Sequence, residues 1–586
     1  MATPEPRSTP ARLTAPATAK LPRPYLLALA IIYIFAGLYF RDPWKPDDVI
    51  GLATMLTGLN GPGHAAWLPQ VGDLAYAQDG PLVMWVGMAF ISLFSPLLDW
   101  FTSGIDAQII ASRLPNIIWF VAMVVSVWYG TYLLGRRPEP QPLRLPFGGE
   151  PSEKDYGRMI ADAALLLILA TAGIMWRMHE TSEVPAIIAM QSLALFAVVR
   201  TIDRPMSGAI VLGIALGGAL LARGFLGGIP IWLSTLSAFA LVSDLRRQWR
   251  CLPIAIAIAA ALFLLWYIPA QRLSPYWVEQ WWYWHSSSYT WPRYQAVFSV
   301  LRDLPWFLWP TWPFAIMAIW QWRSWLKAPH IAIPLAFTVW PLVSMLFLVD
   351  PFEPEYALMA VPCALLAAFA LPTLRRGMVN SLDWFAVMCF SLTIATVWLG
   401  WVALQAGWPR QISNNIALQT SGYHAYVSWP AVIVALAFTL AWVVLVRWRL
   451  KHKPAALWRG TVLSAGGIVT TWLLLVTLWM PALDYVRSYR PVSAELAAAL
   501  QKYRAPGECL RSEDLGLGQR ASFYVFNGIN IRAGGASRCT LVLVQVSLRE
   551  LRAGYKPLGP EAQLLWQGKR GAERQEAFQL LRIANP

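Results

Sequence analysis

Apolar stretches of about 17–25 residues, long enough to cross a hydrocarbon core as a helix, recur from Pro24 to Met480. Inside a bilayer each such segment must satisfy its own backbone hydrogen bonds, so the chain is expected to be an α-helical polytopic membrane protein. Of its 586 residues 57% are hydrophobic and only 13% charged, a balance that excludes an ordinary soluble globule. Thirty-three tryptophans suit a chain with many rings at the membrane–water interface. The formal net charge of +15 does not imply nucleic acid as a partner, because the basic residues sit in short loops between apolar segments. That is the distribution of cytoplasmic loops.

The basic clusters set the topology. They are Arg136-Arg137, Arg200 with Arg204, Arg246-Arg247 with Arg250, Arg323 with Lys327, Arg375-Arg376, and Arg447 through Lys453. Two apolar segments separate each consecutive pair. Spans are expected at 24–40, 114–134, 159–176, 184–200, 207–222, 225–243, 251–270, 305–322, 331–349, 356–373, 381–404, 429–447 and 461–480. That is about 13 spans, with the N-terminus inside and the C-terminus outside. Residues 1–23, rich in Pro, Ala and Thr, read as a disordered cytoplasmic tail. The first span lacks a small-x-small cleavage site and reads as an anchor. Leu82 to Leu98 is apolar, but a crossing there would invert every later loop, so it is expected to lie along the outer surface. The transmembrane body then covers 24–480, with a first external loop at 41–113.

Composition changes after residue 481. Ser493 to Tyr503 has helical character, and Thr540 to Val546 and Ala577 to Ile583 read as strands. Residues 481–586 are therefore expected to form a small external α/β domain. Cys251, Cys363 and Cys389 lie in apolar runs and read as inert small hydrophobes. Cys509 and Cys539 stand at possible strand starts in the polar region. They form either a disulfide, in an oxidising compartment, or two free thiols.

The unusual polar residues fall in the external loops. Asp47 and Asp48 follow the first span in Trp44-Lys45-Pro46-Asp47-Asp48, where a helical period (Val49, Leu52, Met55, Leu56, Leu59) begins. Asp47 there reads equally as a helix N-cap and as a general base at the membrane surface. Arg177, His179, Glu180 and Glu183 fill the turn between the third and fourth spans, and Arg223-Gly224 the turn after the fifth. Residues 271–304 read as a long loop with Arg272, Glu279, His285 and Arg293, while Asp350, Glu353 and Glu355 occupy a later turn. Tyr276, Trp277, Trp281, Trp282 and Tyr283 read as an interfacial belt or as platforms for sugar or prenyl chains.

Several local patterns together resemble the integral-membrane glycosyltransferases of GT-C fold that use polyprenyl-phosphate sugars, in particular the aminoarabinose transferase and protein mannosyltransferase group. Asp47-Asp48 is similar to that family's acidic pair in the first external loop. Tyr76-Ala77-Gln78-Asp79-Gly80-Pro81-Leu82-Val83-Met84-Trp85 resembles its Tyr-Phe-Glu-Lys-Pro-Pro-Leu-x-x-Trp segment. Arg113-Leu114-Pro115, Leu221-Ala222-Arg223-Gly224 and Pro354-Glu355-Tyr356 through Pro362 resemble further family segments, in the family's order. The chain departs from the pattern at Gln78-Asp79, where the family's Glu-Lys includes a lysine associated with the lipid phosphate. The C-terminal domain matches no motif.

The resemblance implies transfer of a hexosyl or pentosyl group from a polyprenyl-phosphate donor to a hydroxyl of lipid A, a glycan or a protein in the bacterial envelope, with inversion. No cofactor and no metal are expected. The carboxylate of Asp47 takes the hydroxyl's proton, with Asp48 orienting it or holding the acceptor. Cations stabilise the leaving phosphate. The expected substrate-binding residues are Arg223, Gln78, Asp79, Arg113, Tyr356, His179, Glu183 and Arg272, with Arg223 read either as the first phosphate ligand, because an arginine alone in a tight turn needs an anion, or as snorkelling to the interface. The competing reading is a flippase or transporter of a lipid-linked glycan, and a third is a non-catalytic scaffold. Proton-coupled transport usually places ionisable groups at mid-membrane depth, where this sequence has almost none.

Overall fold

The computed structural model describes residues 9–102, 104–144, 148–451, 456–535, 539–552, 558 and 562–583. Among these, nine helices are long and apolar enough to cross a membrane, where about 13 spans were expected. The difference has a local cause at each place. The segment at 24–40 forms helix only over α1 (Arg23–Phe35), followed by Gly37 at φ +90°. The segment at 159–176 divides into α6 (Glu153–Leu169) and α7 (Ala172–Arg177), and that at 305–322 divides at Leu308–Pro310. The segments at 207–222 and 225–243 form one helical stretch, α9 (Pro205–Leu241), with non-helical backbone at Arg223 and Gly224. Even so the chain reverses there. The Leu220 side chain lies against Gly228, a contact that about 12 Å of straight helical rise would forbid. The expected hairpin thus exists, with Gly224 at φ +55° as its pivot.

Two further expectations are corrected. Residues 9–22 are packed, because Arg12 N donates to Pro372 O and Ala15 N to Gly149 O, and Ala11 is buried. The supposed loop at 271–304 contains two helices, Pro275–Ser287 and Tyr294–Phe307. In the first, Trp277 and Trp281 are buried while Tyr276 and Tyr283 are exposed, so the aromatic run divides between packing and surface.

Two helices and a hairpin build the stretch after α1. Helix α2 (Asp47–Asn60) begins at Asp47, with Asp47 and Asp48 in its first turn, where the helix dipole favours acids. The hairpin β1 (Gln70–Val71) and β2 (Leu74–Ala75) follows. Helix α3 (Leu82–Leu98) turns Met84, Gly87 and Ile91 inward against α2 and leaves Leu93 and Leu97 exposed. Helix α4 (Ile105–Arg113) leads into α5 (Pro115–Gly135), and α8 (Glu183–Asp203) packs between α5 and α9.

The C-terminal region is α/β. A five-stranded sheet has the order β4 (Arg532–Ala533), β3 (Leu510–Ser512), β5 (Leu541–Ser547), β7 (Glu576–Arg582), β6 (Gln563–Gly568). Strand β3 is parallel to β4 and β5, and β7 is antiparallel to both β5 and β6. Helices Arg490–Tyr503 and Leu517–Asn527 cover one face, with Val492, Leu496, Phe523 and Phe578 in the shared core. Helix Leu517–Asn527 also packs on α2 through Ala521 and Val525. Lys45 pairs with Glu576 at 3.1 Å, Arg490 with Asp42, and Asp484 accepts from Trp44 Nε1 at 2.8 Å. The domain therefore clamps the stretch that presents Asp47.

Parallel pairing of β3 with β5 brings Cys509 and Cys539 into a disulfide, with Cα atoms 5.0 Å apart. It closes a loop of 30 residues, for which the chain-entropy model gives about 3–4 kcal/mol. Cys509→Ser is expected to lower the domain's resistance to protease, measured by limited proteolysis. Full thiol labelling of both cysteines in unreduced, denatured protein would count against the bridge.

Candidate active site

Asp47 and Asp48 are neighbours in sequence but point into different surroundings. Asp48 is fully enclosed. It accepts from Arg41 Nη1 at 2.6 Å, Arg113 Nη2 at 2.9 Å and the Thr181 backbone N–H at 2.7 Å. Burial alone would raise its pKa, but Arg113, Arg41 and that N–H outweigh burial and hold it below the usual range. Arg41 also donates to His179 O, and Arg113 to Arg41 O and Asp42 O. Asp48 is thus the knot that ties the loop after α1 to α4 and to the turn before α8. Its expected role beside the acceptor is corrected to one of holding the backbone.

Asp47 is the first residue of α2 and caps nothing. Its Oδ2 accepts from Arg177 Nη1 at 2.8 Å, and 18% of its side chain remains exposed. Burial pushes its pKa up to about 6, with the charge of Glu183 adding to the rise and Arg177 and Arg223 opposing it. Arg177 also donates to Glu180 at 2.7 Å and, through Nε, to Glu353 at 2.6 Å. Glu180 is driven up to about 7, mainly by burial.

Arg223 is not alone in its turn. It pairs with Asp79 at 2.9 Å, Glu183 at 2.7 Å and Glu355 at 2.9 Å. Tyr76 Oη donates to Asp79 at 2.8 Å. Asp79 is pushed above the usual carboxylate range by burial, against the pull of Arg223. Gly224 is required beside this cluster: a Cβ there would lie 2.0 Å from His285 Nε2. His285 is buried, its pKa pushed down to about 4 by desolvation, and Trp281 O lies at 2.8 Å from its Nδ1.

Asp47 lines one of two cavities in this region, and Pro46 before it and its partner Arg177 line the other. One, of about 300 Å³, is lined by Asp47, Tyr76, Gln78, Arg223, Trp284 and Glu355, among others. The other, of about 660 Å³, is lined by Trp44, Lys45, Trp176, Arg177, Tyr356 and Arg487, among others. Phe352 lines both.

Of the expected site residues, Asp47, Gln78, Asp79, Glu183 and Arg223 come together around the smaller cavity, and Tyr356 lines the larger. Three are corrected. Arg113 is 1% exposed and spent on Asp48 and two carbonyls. His179 is fully buried, with Met175 O and Tyr33 O at its two ring nitrogens, and burial pushes its pKa down to about 4. Arg272 is exposed at the end of helix Cys251–Leu273 and lines neither cavity. Arg177, named above only as a polar residue of its turn, and Arg487 were not among the expected site residues. For Arg177 a signal existed, since Glu180 stands three residues on in the same short turn. For Arg487 there was none.

No family model matches the chain, and no curated protein matches it. Solved structures do. The crystal structure of ArnT from Cupriavidus metallidurans bound to undecaprenyl phosphate aligns with a TM-score of 0.64 at 13% identity, covering 95% of this chain and 97% of that one. The chain has the ArnT fold. The apo structure of the same ArnT agrees, with a TM-score of 0.60 at 14% identity over the same shares. The ArnT likeness runs through the C-terminal sheet as well as the helical body, so the expected GT-C architecture holds for nearly the whole chain, and the body is that of a multi-pass membrane protein.

Proposed function

We propose that this chain is a glycosyltransferase that moves a sugar from a polyprenyl phosphate to a hydroxyl of an envelope acceptor, on the outer face of a bacterial inner membrane. One observation carries the reading: a partly exposed carboxylate, Asp47, lines one cavity and is held at 2.8 Å by Arg177, which lines a second. The acceptor hydroxyl attacks the anomeric carbon as its proton passes to Asp47. The bond from that carbon to the phosphate oxygen breaks on the opposite side, which inverts the centre. Arg177 keeps Asp47 in place and lends positive charge near the departing phosphate. The ArnT crystal structure with undecaprenyl phosphate supports a polyprenyl carrier. The basic loops and the Cys509–Cys539 bridge support a cytoplasmic N-terminus and a periplasmic C-terminal domain. A flippase would line a central path with ionisable groups, whereas those around Asp47 gather beside the C-terminal domain.

The test is mass spectrometry of envelope glycolipids and glycans from a strain lacking the chain. A sugar substituent should disappear and return with the wild-type protein. The acceptor so identified then allows a pH profile. A base with a pKa of about 6 works only when ionised, so kcat/KM is expected to fall as pH drops through about 6 and to level off above it. A rate that stays flat down to pH about 4, the range of an ordinary carboxylate, would remove Asp47 from the role.

A further inference from the structure

At the end of α1 remote from Asp47, cations gather over an apolar hollow. Helix α1 begins at Arg23 and rises about 20 Å before the chain turns toward Arg41 and Asp47. Pro22 and Pro24 bracket Arg23 and restrict its backbone. The segment leading up to it is held on the body, with Arg12 N bonded to Pro372 O and Thr18 buried. Lys20 and Arg23 are therefore set in place by the fold, which lowers the entropy lost when a ligand binds. Arg158 reaches the same place from the first half of α6.

A cavity of about 620 Å³ opens there between α1, α5 and α6. Lys20, Arg23 and Arg158 line it, with Asp162 as the acid of the lining. Asp162 accepts from Trp128 Nε1 at 2.7 Å. Arg158 is bonded to Asp155, which also accepts from Ser152 Oγ at 2.7 Å. Lys20 and Arg23 make no ion pair among the described residues. Both are exposed, so their counter-charge must come from whatever the cavity admits.

The rest of the lining is apolar and ordered by depth. Leu26, Leu27 and Ala30 continue the face of α1 that starts at Arg23. From Arg23 to Ala30 the helix descends about 10 Å. Val125 and the rings of Trp128 and Tyr129 face the hollow from α5, toward its Arg136-Arg137 end. Leu27, Val125 and Tyr129 are exposed, and in a bilayer hydrocarbon covers them. Cations at the top, amphipathic rings beside them and hydrocarbon below repeat the layers of one bilayer leaflet. A soluble anion would leave the lower half unfilled. A neutral lipid would leave Lys20 and Arg23 without a counter-charge.

We propose that this cavity binds one anionic phospholipid of the leaflet that the basic loops face, with its phosphodiester between Lys20 and Arg23 and an acyl chain along Leu27 and Val125. The site stands apart from the transfer reaction. Only the naming of that leaflet as cytoplasmic rests on the orientation proposed above. A bound lipid fastens the start of α1 to α5 and α6, and a ligand that binds the folded state alone stabilises it. The other end of α1 leads to Arg41, the partner of Asp48, so the lipid steadies the base of the arm that carries the active-site loop.

The experiment is native mass spectrometry of the full-length protein in detergent, titrated with phosphatidylglycerol or phosphatidylcholine, with thermal unfolding followed in parallel. The proteins are wild type, the double variant Lys20→Gln with Arg23→Gln, the single variant Leu27→Trp, and a control, Arg323→Gln with Lys327→Gln, which removes two exposed cations of another basic loop. Wild type and the control should hold the first phosphatidylglycerol at least about tenfold more tightly than phosphatidylcholine, and should unfold at a higher temperature in its presence. The Lys20 and Arg23 double variant should lose both effects yet unfold as wild type does in phosphatidylcholine, because the two side chains are exposed. Leu27→Trp, which fills the apolar half, should bind phosphatidylglycerol more weakly with both cations still present. Wild-type affinity in the double variant would overturn the site. An equal loss in the control would reduce the effect to surface charge. Equally tight phosphatidylcholine in wild type would remove the anionic headgroup. Should the double variant unfold early in phosphatidylcholine, Leu27→Trp decides, and unchanged phosphatidylglycerol affinity there overturns the proposal.

Discussion

Asp47→Asn is expected to lower turnover by about 10²- to 10⁴-fold, the usual contribution of a general base, while leaving folding and lipid binding intact. The amide keeps the side chain's size and can still accept a hydrogen bond from Arg177, so the 2.8 Å contact survives. What it loses is the capacity to take a proton. Side-chain burial at this position is incomplete, and Arg177 keeps Glu180 and Glu353 as partners, so no charge is left stranded. Single-turnover transfer, with thermal unfolding measured in parallel, separates the two effects. Full activity in Asp47→Asn would reduce the residue to a first-turn acid on a helix.

The same substitution one residue later should do the opposite. Asp48→Asn is expected to destabilise the protein by about 3–5 kcal/mol, the range found when one partner of a buried ion pair is removed. The side chains of Arg41 and Arg113 are each 1% exposed, and the Asp48 carboxylate is the counter-charge that both share. An asparagine would leave two guanidinium groups facing one neutral oxygen in a dry interior. The readout is a lower unfolding temperature and poor recovery from detergent. Whatever protein survives at low temperature should retain much of its transfer rate per folded molecule. Normal stability with abolished transfer would instead put Asp48 in the chemistry.

This contrast also shows what the amino-acid order could and could not convey. The apolar runs and basic loops conveyed the bundle, because a bilayer imposes its thickness and charge asymmetry on every crossing segment. The Arg223-Gly224 reversal was legible because a charge and a glycine interrupt two apolar runs, and the structure adds that Gly224 lies at a positive φ where a Cβ would strike His285. Asp47-Asp48 was legible as a pair, but not as two unlike residues, since adjacent helical positions point about 100° apart. Which one faces a cavity depends on where Arg41, Arg113 and Thr181 arrive from distant segments. His179 and Arg113 were misassigned for the same reason. A polar residue in an external turn can point to solvent, to substrate or into the packing, and the turn alone does not say which. The segment at 271–304 hid two helices because its tryptophans and prolines blur the helical period.

The clamp between the C-terminal domain and the loop after α1 joins residues distant in sequence, as in the pairing of Arg490 with Asp42 at a separation of 448. Lys45 waits for Glu576, Asp42 for Arg490, and Trp44 for Asp484. During synthesis the membrane helices are laid down first, and Asp47 reaches the surface hundreds of residues before its clamp exists. A ribosome that stopped short of β7 would release a body already seated in the bilayer, with Asp47 on an unfastened loop. The loop that presents Asp47 is therefore fastened only once residues as late as Glu576 have been made and folded.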